Sequence, residues 1–119
     1  MLDSVENRDF EALVIKKSQD KLVGAYLEGL ILHRLRDKQL SGYDLIKIAK
    51  KDFNLLISPG TMYSTIYALE RQGLFECTQN GRKRVYHLTD KGKTTIQTIS
   101  QSKQLRNLLF ALAKEFFSE

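Results

Sequence analysis

Tryptophan is absent from this 119-residue chain, and proline and cysteine occur once each. A lone cysteine, Cys77, cannot close an internal disulfide, which excludes the small cross-linked secreted scaffolds. No apolar run is long enough to span a bilayer. The opening Met1-Leu2-Asp3-Ser4-Val5-Glu6 lacks the basic-then-apolar order of a signal peptide, so the expected location is cytoplasmic, with no membrane partner. Nothing reads as a nucleophile with its base, a phosphate loop or a carboxylate pair. No enzyme, no catalytic residue and no cofactor are therefore expected. His33 falls in an apolar helix and His87 in a strand, without a carboxylate or thiol at ligand spacing, so no metal site is expected either.

What is present is positive charge, unevenly placed. The net charge is +5 and the pI about 9.4, which favours an anionic partner, although solubility alone accounts for such an excess too. Residues 1–22 hold five acidic and four basic side chains, whereas residues 71–114 hold two acidic and nine basic. A basic half beside a near-neutral one suggests a directed surface. At this length one domain, or one domain with an extra helix, is expected.

Helical spacing organises most of the chain. Phe10, Leu13, Val14 and Lys17 give a short pattern that Ser18-Gln19-Asp20 interrupts, predicting a separate N-terminal helix within an extension at 1–22. Val23, Tyr26, Leu27, Leu30, Ile31 and Leu35 predict a second helix over 23–36. Ser41-Gly42 begins a third, which carries Leu45, Ile46 and Ala49 inward and ends at Asp52-Phe53-Asn54.

Ser58 and Pro59, the only proline, open the next helix as N-cap and first helical residue. Met62, Ile66 and Leu69 form its buried stripe, and Gly73 stops it. At about 100° per residue, Thr61, Ser64, Tyr67, Ala68 and Arg71 point away from that stripe. Surface helices normally turn Glu, Lys and Gln to water; an outward face of hydroxyls and an aromatic suggests that another molecule reads it. Two strands then follow, 74–78 and 84–88, with Asn80-Gly81 as a hairpin turn signal. Thr89 caps a final helix continuing toward Phe117. The order of helix, helix, turn, helix, hairpin and helix is that of a winged helix-turn-helix, spanning 23–89 here, and the fold class is mainly α with a small β-hairpin.

Five ordered blocks sharpen this: Leu-Glu-Gly-Leu-Ile-Leu at 27–32, Ser-Gly-Tyr-Asp-Leu-Ile at 41–46, Ser-Pro-Gly-Thr-Met-Tyr at 58–63, Leu-Glu-Arg-Gln-Gly-Leu at 69–74 and Arg-Lys-Arg-Val-Tyr-His-Leu-Thr-Asp-Lys-Gly at 82–92. Together they make residues 22–93 resemble the PadR-like transcriptional regulators. The resemblance implies a dimeric repressor that binds a palindromic operator in double-stranded DNA. Its recognition helix would enter the major groove, its wing would touch backbone or minor groove, and a C-terminal dimerisation helix in 90–119 would pair the subunits. By position it places Ser58, Gly60, Thr61 and Tyr63 at the DNA end of the recognition helix and Arg82, Lys83 and Arg84 on the wing, while Ser64, outward by helical spacing like Tyr67, stands where the family commonly has proline. Ser41 stands where the family commonly has histidine, and Tyr43 would support the helix or touch phosphate. Tyr67 and Ala68 replace frequent basic residues, which shifts electrostatic affinity toward the wing.

Other readings stand beside these. Tyr63 lies near the buried stripe and suits packing and phosphate bonding alike. Cys77 is a small buried apolar residue or a redox sensor. Leu105, Leu108, Leu109, Leu112 and Phe116 form the expected homodimer stripe, and the polar run 100–104 before it fits a kink or a water-lined gap. The family often answers to small aromatic or lipophilic effectors, but Tyr26, Phe110, Phe116 and Phe117 are more simply read as packing residues. A winged helix that binds only protein is the alternative function, and it would need no basic wing.

Overall fold

The computed structural model describes residues 4–118; the first three residues of the expected N-terminal extension and the last residue lie outside it. Helix α1 runs from Ser4 to Arg34, α2 from Gly42 to Phe53 and α3 from Pro59 to Arg71. Strands β1 (Phe75–Asn80) and β2 (Lys83–Leu88) follow, then α4 (Asp90–Gln101) and α5 (Lys103–Phe117).

The expected interruption at Ser18-Gln19-Asp20 does not occur. The three residues are helical, α1 crosses residue 22 without a break, and Lys16 Nζ reaches Asp20 Oδ1 at 3.5 Å over the same stretch. The change of pattern marks a change of surroundings: α1 buries Leu27, Ile31 and Leu32 near its end, while its first half is exposed on every side. Polar residues without proline or a cap do not end a helix.

Each later helix has a sequence-encoded start. Ser41 Oγ accepts the Asp44 N–H at 3.0 Å while Asp44 Oδ2 accepts the Ser41 N–H at 3.0 Å, a reciprocal capping box for α2. Ser58 Oγ accepts the Thr61 N–H at 3.1 Å with Pro59 next in line. At the end of α3 the Gly73 N–H donates to Glu70 O and the Leu74 N–H to Leu69 O. Gly73, at φ +80°, is the left-handed residue this closure requires.

Met62, Ile66 and Leu69 are the buried stripe of α3, packed with Leu27 and Ile31 of α1, Leu45 and Ala49 of α2, and Phe75, Tyr86 and Ile96. Each such aliphatic side chain stabilises by roughly 1.5–3 kcal/mol on burial. The hairpin is longer and tighter than its sequence suggests. Asn80 pairs with Lys83, leaving Gly81-Arg82 as a two-residue turn with glycine first at φ +65°. Leu40 adds a short third pairing, exchanging backbone bonds with Tyr86 at 2.8 and 3.2 Å, and so ties the wing to the connection before α2.

The single final helix is instead two. Ser102 (φ −76°, ψ 106°) leaves helical geometry, and its Oγ accepts the Leu105 N–H at 3.0 Å as N-cap of α5. A serine that caps is hard to tell in sequence from one that a helix merely tolerates. α4 anchors through Gly92 and Ile96, whereas α5 buries nothing. The radius of gyration, 17.3 Å, exceeds the ~13.5 Å of a compact domain this long, because α5 and half of α1 stand clear of the core.

Candidate nucleic-acid interface

The face opposite the α3 stripe is exposed as expected at Thr61, Ser64, Tyr67 and Arg71. Its hydroxyls are not equivalent. Thr61 Oγ1 accepts from Ser58 Oγ at 3.0 Å, which ties it into the cap, and Thr65 donates back to Thr61 O at 2.8 Å. Ser64 has no partner among the described residues. Ser58 and Gly60 are exposed at the same N-terminal end.

Across from this face stands the wing, and between them lies an open groove of about 760 Å³ lined by Tyr43, Tyr63, Tyr67, Asn80, Arg82, Lys83, Arg84 and Tyr86. Four of the chain's five tyrosines are therefore gathered on one side of the molecule. Tyr63 is half-buried, with its ring centroid 6.0 Å from that of Tyr67, tilted by 38°. Tyr67 is 39% exposed and Tyr43 lies under Lys47 Nζ, 5.2 Å from the ring centroid. Tyr86 is fully buried; desolvation pushes its phenol up to about 12, which keeps it neutral, and its hydroxyl meets no partner among the described residues.

The basic residues are held differently. Arg82 is exposed at the turn. Lys83 Nζ sits 3.3 Å from Asp44 Oδ2, bridging the wing to α2. Asp44 is held below its ordinary value of 3.8, first by the Ser41 backbone N–H and less strongly by Lys83. Arg84 Nε donates to Cys77 Sγ at 3.1 Å, with its guanidinium 6.0 Å above the Tyr86 ring.

Ser41 also borders the groove, but it is 5% exposed, and both its backbone N–H and its hydroxyl serve the α2 cap. The hairpin register does set one carboxylate beside a histidine, His87 opposite Glu76 with Nε2 and Oε2 3.1 Å apart, but among the described residues no cluster of His, Cys, Asp or Glu could hold a metal ion. Lys47, Asn80 and Tyr86 were missed. Only Lys47 carried a signal, the i,i+4 spacing from Tyr43. At the other end of the molecule Leu105, Leu108, Leu109, Leu112 and Phe116 are all exposed, Phe116 by 79%, and the first four face Tyr26 and Leu30 of α1 across a shallow groove. Among the described residues no helix is long and apolar enough to cross a membrane.

A capped third helix, a two-stranded wing and a groove between them define a winged helix-turn-helix protein. The description "Transcriptional regulator PadR-like family" matches residues 31–98, more than half of the sequence, and the chain belongs to that family. Among solved structures, a PadR family regulator from Eggerthella lenta is similar over 92% of this chain and 97% of its own, with TM-score 0.71 and 25% identity. A PadR-like regulator from Bacillus cereus covers 83% of this chain and 98% of its own, with TM-score 0.69 and 24% identity. Bacillus subtilis PadR in complex with operator DNA is similar over 66% of this chain and 48% of its own, with TM-score 0.57 and 29% identity. Comparison with curated proteins gives no match.

Proposed function

We propose that the chain is a dimeric, sequence-specific repressor. α3 enters the major groove with Thr61, Ser64, Tyr63 and Tyr67, Ser58 and Gly60 meet backbone at its N-terminal end, and Arg82, Lys83 and Arg84 bring the wing to phosphates. The observation that carries this reading is the exposed hydroxyl face of α3 set across one groove from the basic wing. The complex of Bacillus subtilis PadR with operator DNA supports the choice of partner. The exposed stripe of α5 supports pairing with a second copy, since apolar patches of that extent are rarely left in water. In this reading residues 1–22 extend the winged helix of 23–89, residues 90–119 pair the subunits, and the protein works in the cytoplasm without catalysis. A small aromatic or lipophilic effector fits the apolar hollow of about 460 Å³ between Tyr26, Leu30, Phe53 and Leu109.

Footprinting on the duplex upstream of the chain's own coding region tests the reading. A protected palindrome with half-sites about one helical turn apart, or a multiple of it, is expected. Equal, weak binding to every duplex at moderate salt would sink it in favour of the protein-binding alternative.

A further inference from the structure

Gly42, the first residue of α2, is buried, yet its backbone does not call for glycine. Among the described glycines only Gly73 and Gly81 are left-handed. At a position with ordinary helical geometry alanine is the better helix former. What stands in alanine's way is Tyr63. A methyl group on Gly42 would lie 2.6 Å from Tyr63 Cζ and 2.8 Å from its hydroxyl oxygen, and closer still to Cε1. Gly24 and Gly29, by contrast, meet nothing within 4 Å.

Tyr63 belongs to the recognition helix. Its neighbours Met62 and Ile66 are locked in the core, so the backbone of α3 cannot step aside, and the cheapest relaxation is a swing of the ring toward solvent. Such a swing would undo the pairing of Tyr63 with Tyr67, the two aromatics that α3 presents to the groove. We infer that Gly42 is a positioning residue for DNA recognition: its bare Cα seats the Tyr63 ring on the first turn of α2 and thereby fixes the direction in which the tyrosine pair meets DNA. The inference rests on the DNA-binding reading and assigns a role within that surface to a residue that is itself buried.

The test is a two-by-two cycle of Gly42→Ala and Tyr63→Leu in the full chain, because leucine ends short of the atoms that crowd position 42. The probe is the duplex that the unmodified protein selects from a randomised pool. Gly42→Ala alone should weaken binding about tenfold, the size of one base-edge interaction, and in the Tyr63→Leu background it should cost less than about twofold. Thermal melting gives an arm independent of DNA: Gly42→Ala should lower Tm when Tyr63 is present and raise it when Tyr63 is leucine. Unchanged binding by Gly42→Ala, or equal losses in both backgrounds, would overturn the inference. If the unmodified protein selects no duplex, the DNA-binding reading falls and this role with it, while the melting cycle still reports whether the two residues collide.

Discussion

Lys83, at the start of the second wing strand, is tethered by an ion pair to Asp44 in the first turn of α2, Nζ to Oδ2 at 3.3 Å. Of the three basic wing residues it is the one whose charge is already answered within the protein. Arg82→Ala should flatten the slope of log affinity against log salt by about 0.9 for each phosphate no longer neutralised, twice over in a two-fold dimer. Lys83→Ala should flatten it less. Titrating salt against each variant checks the ranking, and a reversed order would mean that the Asp44 tether opens on binding.

Asp44 also makes acid stability predictable. Its folded pKa is lowered, so its contribution is fully present above the ordinary carboxylate value of 3.8 and is lost as pH falls through the lower, folded value. Tm measured from pH 6 downward should therefore drop less steeply in Asp44→Asn than in the unmodified protein. The variant should start lower, because an amide cannot reproduce the charged half of the capping box.

The two faces of α3 should separate cleanly. Met62→Ala truncates a buried side chain and should cost about 2–5 kcal/mol in denaturant unfolding. Ser64→Ala removes a hydroxyl with no internal partner and should leave stability within about 0.5 kcal/mol, while lowering the preference for operator over random duplex. Thr61→Ala is the less clean probe, because Thr61 shares the Ser58 cap. An unfolded Ser64→Ala beside an intact Met62→Ala would show the faces reversed.

Leu109→Asp with Leu112→Asp should produce monomers in sedimentation velocity and lower Tm chiefly by the share that pairing contributes, making it independent of protein concentration, since no residue of α5 is fully buried within its own chain. A variant that still sediments as a dimer would place the interface elsewhere, with the exposed first half of α1 the next candidate.

Gly92 predicts the opposite kind of failure. A methyl group there would run into the carbonyl of Leu74, a backbone atom within the closure of α3, and no side chain can swing away to make room. Gly92→Ala should be among the most destabilising single-methyl additions in the chain, by more than about 1 kcal/mol, with Tm as the readout.

The recognition helix was legible because several local signals agreed over one short stretch: serine cap, single proline, three-and-four spacing of Met62, Ile66 and Leu69, and a closing glycine. The hairpin was legible through Asn80-Gly81, though its strands pair further than their residue types suggest. The continuity of α1 was not, since its first half carries apolar residues on several faces and offers no single stripe to follow. The polar run 100–104 marked where the last helix could bend, but not that it breaks at Ser102, because its cap bond replaces helical bonds that a serine can equally well permit. The Lys83–Asp44 tether and the Gly42–Tyr63 approach depend on how the wing and α3 pack against α2, and no spacing along the chain encodes that.

The carbonyls that end α3 are held by the residues that begin α4: Thr89 Oγ1 donates to Gly73 O at 2.6 Å and Lys91 Nζ to Gln72 O at 2.8 Å. These bonds join the end of α3 to the start of α4, and the next joint along the chain is Ser102, which caps both α4 and α5. In the proposed dimer the angle at this joint becomes a caliper setting. α5 has 15 residues and is about 22 Å long, so a turn of roughly 10° at Ser102 displaces its far end by about 4 Å, more than the ~3.4 Å step between neighbouring base pairs. In that proposed dimer, one residue's backbone angle would set which half-site spacing the paired winged helices can span.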